Sequence, residues 1–248
     1  MLAEPRVSIV GTRNPTPYGV RMTRAIAGAL ARAGVCVVSG MARGVDAEAH
    51  RATLAEGGRT VAVLGTGIDV PYPAGHRELH RIIASQGLVL SEYGHGVRAH
   101  RGAFPRRNRI IAALGKVTIV IEAGSRSGAL NTAAQALELG RVVAALPGPI
   151  DSPQSEGTNQ LIRDGASVVA AIGDALALAG VDAPPQRAPV HLPDCDARVW
   201  RALASGALPM DDLASRAGMP ARECLTSVTA LELTGMVECL LTGEVRRR

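Results

Sequence analysis

Aromatic residues are almost missing from this chain: one Phe, one Trp and three Tyr among 248 residues. Its core must then be filled by Val, Ile, Leu and Ala, and the position of each aromatic becomes informative. Lysine is nearly absent too. Lys116 is the only one, and no G-x-x-x-x-G-K-[ST] segment occurs, which excludes a P-loop nucleotidase. The four cysteines, Cys36, Cys195, Cys224 and Cys239, are far apart, with no C-x-x-C pair and no nearby His at metal-ligand spacing. Neither disulfides nor a metal site is expected from them, and Cys36 inside Val35-Cys36-Val37-Val38 reads as a buried thiol. No apolar run approaches membrane-spanning length, and Met1-Leu2-Ala3-Glu4-Pro5-Arg6 is too short and polar for a signal peptide. The expectation is a cytoplasmic protein with no membrane insertion, no metal and no cofactor.

What is present is enough chain for one large domain and a small one. The formal net charge of +5 leans towards a polyanionic partner, but an arginine-rich, alanine-rich composition is also what a GC-rich genome would encode. The placement of the arginines therefore carries more than their number. Over roughly the first 170 residues, short apolar runs alternate with helical patterns. The runs Val7–Val10, Val35–Ser39, Thr60–Leu64, Leu88–Ser91, Val117–Ile121 and Val142–Leu146 lack two-residue alternation, as parallel strands covered on both faces do. Helices are expected over Val20–Ala33, Val45–Glu56, Arg77–Ser85, Pro105–Leu114 and Leu130–Leu139. Glycine exits follow at Gly34, Gly57, Gly87, Gly115 and Gly140. The fold class is α/β, an extended Rossmann-like, doubly wound parallel sheet over residues 1–179.

A Pro-rich linker is expected over 180–195, carrying Pro184, Pro185, Pro189 and Pro193. After it, residues 196–248 read as a winged helix. Helices are expected at Ala197–Leu203, Met210–Ala217 and Ala221–Leu233, and a closing hairpin at Val237–Leu241 and Glu244–Arg248. Ala214 and Gly218 ahead of Pro220 suit a helix-turn-helix.

In an open parallel sheet, ligands sit beyond the carboxyl ends of the strands. All six segments there contain glycine, and three combine it with Ser or Thr and Arg: Gly11-Thr12-Arg13, Ser39 to Gly44 with Arg43, and Ser125-Arg126-Ser127-Gly128. One such loop is often only a turn. Three on one rim point to a phosphate-binding face. The first turn is not G-x-G-x-x-G, which argues against a dinucleotide enzyme.

The stretch Arg98 to Arg109 holds Arg98, Arg101, Arg106, Arg107, Arg109 and His100, no acid, and the only phenylalanine, Phe104. Cations that follow a backbone, together with an aromatic on which a base stacks, hold single-stranded nucleic acid. The competing readings are that Phe104 tucks under the helix starting at Pro105, and that Arg107 or Arg109 pairs with Glu92 or Glu122. Charge is distributed to match: residues 1–170 carry nineteen basic and twelve acidic side chains, whereas residues 196–248 carry seven of each. The second helix of the helix-turn-helix offers Arg222 answered by Glu223, so protein contact or regulation suits it better than duplex reading. Glu122 near Ser125 and Ser127, and His50 one turn after Asp46, are the nearest approach to a catalytic set. No nucleophile elbow or metal triad accompanies them, and a binding protein rather than an enzyme is expected.

With these residues laid out, the chain resembles the DNA-processing protein A (DprA/Smf) family across residues 7–170. The segments that carry the resemblance include Ile9 to Arg13, Val38 to His50, Val63 to Pro73 and Leu90 to Tyr93. Further ones are Phe104 to Ile111, Glu122 to Ala133, Leu146 to Gly148 and Gly157 to Ile162. The resemblance implies sequence-independent binding of single-stranded DNA, a homodimer, protection of incoming DNA and help in loading the RecA recombinase during natural transformation. It places DNA contacts on Gly11, Thr12, Arg13, Ser39, Gly40, Arg43, Gly44, Phe104, Arg106, Arg107, Asn108, Arg109, Ser127 and Gly128. Three departures stand out. Tyr72-Pro73 leads to Ala74-Gly75-His76 where the family usually carries a lysine; Glu92 is followed by Tyr93-Gly94-His95-Gly96 instead of the usual prolines. Many members also place a helical domain before the sheet, whereas this chain reaches its first strand at once, through an internal start or as a short natural form. A fold-level alternative is a nucleotide phosphoribohydrolase, whose P-G-G-x-G-T block is replaced here by Ala123 to Gly128.

Overall fold

The computed structural model describes residues 5–181, 192–234, 236–240 and 243–247. The chain divides into two compact units, residues 1–184 and 185–248. In the first, seven parallel strands lie in the order β4-β3-β2-β1-β5-β6-β7. They are β1 (Arg6–Val10), β2 (Cys36–Ser39), β3 (Thr60–Leu64), β4 (Leu88–Ser91), β5 (Val117–Val120), β6 (Val142–Ala145) and β7 (Ser167–Val168). Between and after them run α1 (Pro17–Arg32), α2 (Val45–Ala55), α3 (Arg77–Gln86), α4 (Ala103–Leu114), α5 (Gly128–Glu138), α6 (Glu156–Arg163) and α7 (Ile172–Ala179). Six strands and five helices match the sequence expectation in place. The two-residue β7 is too short to leave a run, and α6 and α7 were not anticipated.

Successive strand residues feed opposite cores, as the pleat requires. Val7, Ile9, Val37, Val117 and Ile119 pack on one face with Ile26 and Leu30 of α1. Val10, Val38, Val61, Val63 and Val120 pack on the other with Ile111 of α4 and Ala133 of α5. Continuous apolar runs are the consequence of this two-sided burial.

Three helix starts in this unit differ from expectation, each for a local reason. Helix α1 begins at Pro17, because Thr16 caps it by accepting from Gly19 N–H and proline is well placed in the first turn. Helix α5 begins at Gly128, capped by Ser127. Helix α4 begins at Ala103, so Phe104 lies in its first turn and not on a loop. Of the five glycine exits, Gly34, Gly57 and Gly140 adopt positive φ; Gly87 and Gly115 do not. The last two are needed for close approach instead. A Cβ would meet Thr60 O at 2.5 Å at Gly87 and Ser8 Oγ at 2.4 Å at Gly115.

The second unit contains α8 (Asp194–Ala202), α9 (Met210–Ala217), α10 (Ala221–Leu233) and strands β8 (Leu208–Pro209), β9 (Val237–Cys239) and β10 (Glu244–Arg247). The strands form an antiparallel sheet ordered β8-β10-β9. Helix α9 ends on the left-handed Gly218 (φ 61°), and α10 follows directly, giving a helix-turn-helix closed by a wing. This is a winged helix with its own core of Val199, Leu213, Val228, Leu231 and Val245. The linker expected over 180–195 has its end in α8, whereas residues 182–191 lie outside the described residues; so do Leu241, Thr242 and Arg248 of the expected hairpin. No described helix is long and apolar enough to cross a membrane.

Candidate nucleic-acid interface

Strand order reverses between β1 and β5, which opens the crevice at their carboxyl ends. The first loop, Gly11-Thr12-Arg13, is pinned across it: Thr12 N–H donates to Glu122 O (2.7 Å) and Thr12 O accepts from Val45 N–H (3.2 Å). Gly11 is required there, since a Cβ would lie 2.6 Å from Val45 and 3.0 Å from Glu122 O. Gly44 combines φ 74° with a Cβ position 2.4 Å from Thr12 O, so it too serves close packing. These glycines bring loops together. The Thr12 and Val45 N–H groups beside them are spent within the protein.

Two concavities share this rim. One, of about 300 Å³, is lined by Arg13, Arg43, Tyr72, Phe104 and Arg107 and by no acidic residue. Beside it runs an open groove of about 860 Å³ that passes Arg101, Phe104, Asn108, Arg126 and Gly128. Between them stands a cluster from three separate segments. The Tyr72 and Phe104 rings have centroids 5.2 Å apart at 35°, and the Arg13 guanidinium lies 5.8 Å from the Phe104 centroid. Phe104 also rests against Gly65, where an added Cβ would be 3.0 Å from its ring. It is half-buried and supported, while Tyr72, 43% exposed, is the outermost aromatic.

The predicted contacts divide into three groups. Arg13, Arg43 and Arg106 are exposed, and Gly128 is open at the first turn of α5. Arg109 is exposed but its guanidinium is held by the Glu92 carboxylate; Asn108 ties α4 to α5 through Gly128 O (3.4 Å) and Asn131 (3.3 Å). Ser39, Gly40 and Arg107, expected to meet DNA, are buried. Ser39 Oγ donates to Ile9 O (2.7 Å), and Gly40 N–H donates to the Asp46 carboxylate (3.1 Å). The Arg107 guanidinium donates to Gly40 O (2.6 Å) and to Val63 O, with an edge on the cavity. The Ser39 and Arg107 side chains are thus committed to backbone carbonyls, and the Gly40 N–H to the Asp46 side chain.

Burial shapes the charges beneath the rim. Desolvation lowers Arg107 to about 10, opposed by the neighbouring Asp46 carboxylate, so the guanidinium stays charged at neutral pH. Burial raises Asp46, against the pull of Arg107 and of the Ala42 and Gly40 N–H groups. Burial and nearby Arg107 push His50 down to about 3, leaving it neutral. Its Nδ1–H donates to Thr60 Oγ1 (2.6 Å), whose own proton goes to Val37 O (2.8 Å). Glu122, weighed as an acid, is buried and accepts from Thr16 N–H (2.9 Å) and Thr16 Oγ1 (2.5 Å), a structural bond at the start of α1.

Sequence reasoning missed Tyr72 as part of the site and left Arg101 and Arg126 out of the contact set, although both line the groove. Scarcity of aromatics was the signal available for Tyr72.

Residues 1–180 match the family model for DNA recombination-mediator protein A, and residues 183–240 that of the DprA winged helix domain. A DNA processing protein DprA of Mycobacterium tuberculosis is 44% identical over 240 residues, covering 94% of this chain and 62% of the relative; the chain thus spans about three-fifths of that protein. Protein Smf of Escherichia coli is 39% identical over 256 residues, covering 98% of this chain and 68% of its own. Among solved structures, DprA from Streptococcus pneumoniae superposes with a TM-score of 0.67 at 42% identity, over 71% of this chain and 62% of that one. DNA processing protein A from Helicobacter pylori, reported for its single-stranded DNA binding mode, gives 0.66 at 35% identity, over 71% of this chain and 80% of that one. On the fold, the winged helix and these matches together, the chain belongs to the DNA-processing protein A family.

Proposed function

We propose that this chain binds single-stranded DNA without sequence preference, along the groove between the β1, β2 and β5 loops and α4. The observation that carries the reading is the acid-free cavity in which the Tyr72–Phe104 pair stands among Arg13 and Arg43. Phosphates would run past Arg13, Arg43, Arg106, Arg101 and Arg126, and a base would stack on the aromatic pair. The rim side chains bind and hold; none is set up as nucleophile and base. The Helicobacter pylori relative, studied for its single-stranded DNA binding, supports the ligand class.

The wider role follows the family resemblance: a cytoplasmic homodimer that protects incoming DNA and helps load RecA during natural transformation. Its boundaries would be a DNA-binding unit over 1–179, a linker over 180–195 and a winged helix over 196–248 used for protein contact or regulation. The test is the affinity of the full chain for oligo-dT and for a duplex, repeated with Arg13→Ala/Arg43→Ala. The reading expects single-strand preference, and a salt slope smaller by up to ~1.4 in the double variant, about 0.7 per lost phosphate contact. Unchanged binding by that variant would exclude the rim.

A further inference from the structure

The segment that closes and follows β2, Ser39 to Gly44, is gripped by two buried side chains, a carboxyl and a guanidinium. From one side the Asp46 carboxylate, 6% exposed, accepts from Gly40 N–H (3.1 Å) and Ala42 N–H (3.4 Å). From the other, Arg107, 5% exposed, donates to Gly40 O (2.6 Å) and to Val63 O on β3. The contact is tight enough that a Cβ at Gly40 would fall within 2.6 Å of the guanidinium carbon. Between these grips Met41 adopts φ 56°, a left-handed conformation that a side chain with a Cβ disfavours, and His76 Nδ1–H donates to its carbonyl (3.0 Å). A backbone held so far from its preferred conformation persists only where its surroundings over-determine it. Arg43 alone of this segment is exposed, and it forms part of the cavity wall.

We propose that Arg107 is a positioning residue: with Asp46 it clamps the Ser39–Gly44 segment so that Arg43 meets the phosphate, and does not itself contact DNA. The inference rests on the single-stranded DNA reading for its ligand, and on geometry alone for the clamp. Arginine suits the position because one planar fork spans carbonyls of two neighbouring strands; a lysine ammonium is a single point of donation.

The test uses the full chain with Arg43→Ala, Arg107→Lys and the double variant, measuring oligo-dT affinity across a range of salt. Each single substitution is expected to reduce the salt slope by about 0.7, and the double by no more than either single, because both remove the same contact. A further drop of about 0.7 in the double variant means that the two residues act independently, which overturns the proposal. So does an Arg107→Lys protein with wild-type affinity. A second measurement needs no DNA: trypsin cleavage after Arg43. Wild type should resist it, and Arg107→Lys should be cut there roughly tenfold faster, as expected for one lost clamp bond, with cleavage after Arg126 unchanged. Asp46→Ala, which removes the acceptor of the Gly40 and Ala42 N–H groups, should do the same and serves if Arg107→Lys fails to fold. Equal cleavage in all three proteins overturns the clamp. Wild type that ignores oligo-dT overturns the DNA reading instead, and the proteolysis result then decides the clamp alone.

Discussion

The guanidinium of Arg13 lies 5.8 Å from the centre of the Phe104 ring, joining the loop after β1 to the first turn of α4 across 91 positions of sequence. Phe104 is therefore the hinge pin of a cluster, with Tyr72 on its flank at 5.2 Å.

Tyr72 and Phe104 should respond differently to truncation. Tyr72→Ala removes an exposed ring and should weaken oligo-dT binding by about 1–3 kcal/mol with little change in salt slope, since stacking releases no counterions. Phe104→Ala should lose as much affinity and also lower Tm, because it takes packing away from Gly65 and Arg13. Titrations at several salt concentrations and thermal melts separate the two effects.

Neighbouring arginines on α4 are unequal. Arg106→Ala should lower the salt slope by about 0.7, whereas Arg109→Ala should do less, because Glu92 already neutralises Arg109. Glu92→Gln frees that guanidinium and should tighten binding to oligo-dT. A weaker complex with Glu92→Gln would show that the pair positions Arg109 instead.

His50 gives the protein a pH dependence of definite sign. Its folded value of about 3 lies below the ordinary 6.5, so between these the unfolded chain takes a proton that the folded chain refuses. Stability should fall as pH drops below 6.5, at roughly 1.4 kcal/mol per unit from this group. Asp46, raised by burial, works in the opposite direction at the acid end. Melting wild type and His50→Gln from neutral to about pH 4.5 should show a shallower loss in the variant; parallel curves would rule His50 out.

Two glycine substitutions test the packing of the rim. Gly11→Ala drives a methyl into Val45 and the Glu122 carbonyl and should cost about 1–3 kcal/mol of stability. Gly128→Ala meets nothing within 4 Å at the first turn of α5 and should be neutral or slightly stabilising. Denaturant melts of both proteins check the contrast.

Much of this architecture was legible because it is local. Six strands announced themselves as apolar runs buried on both faces, and Gly218 before Pro220 marked the helix-turn-helix. The rim followed from reading which residues leave each strand. Boundaries set by caps were less legible: the Thr16 cap brought the start of α1 forward, and Phe104 moved from loop to helix.

By itself, the sequence determined the sheet, the winged helix and the face on which arginines gather, since these depend on periodicity and on what lies at strand ends. Only the tertiary structure decided which arginines face outward. Arg107 is buried because its partners, Gly40 and Val63, lie 67 and 44 positions away, while Arg106 beside it is exposed. The two look alike in the chain, and burial is a property of contacts that adjacency does not record. For the same reason Tyr72 joined the site only once folding had set it against Phe104.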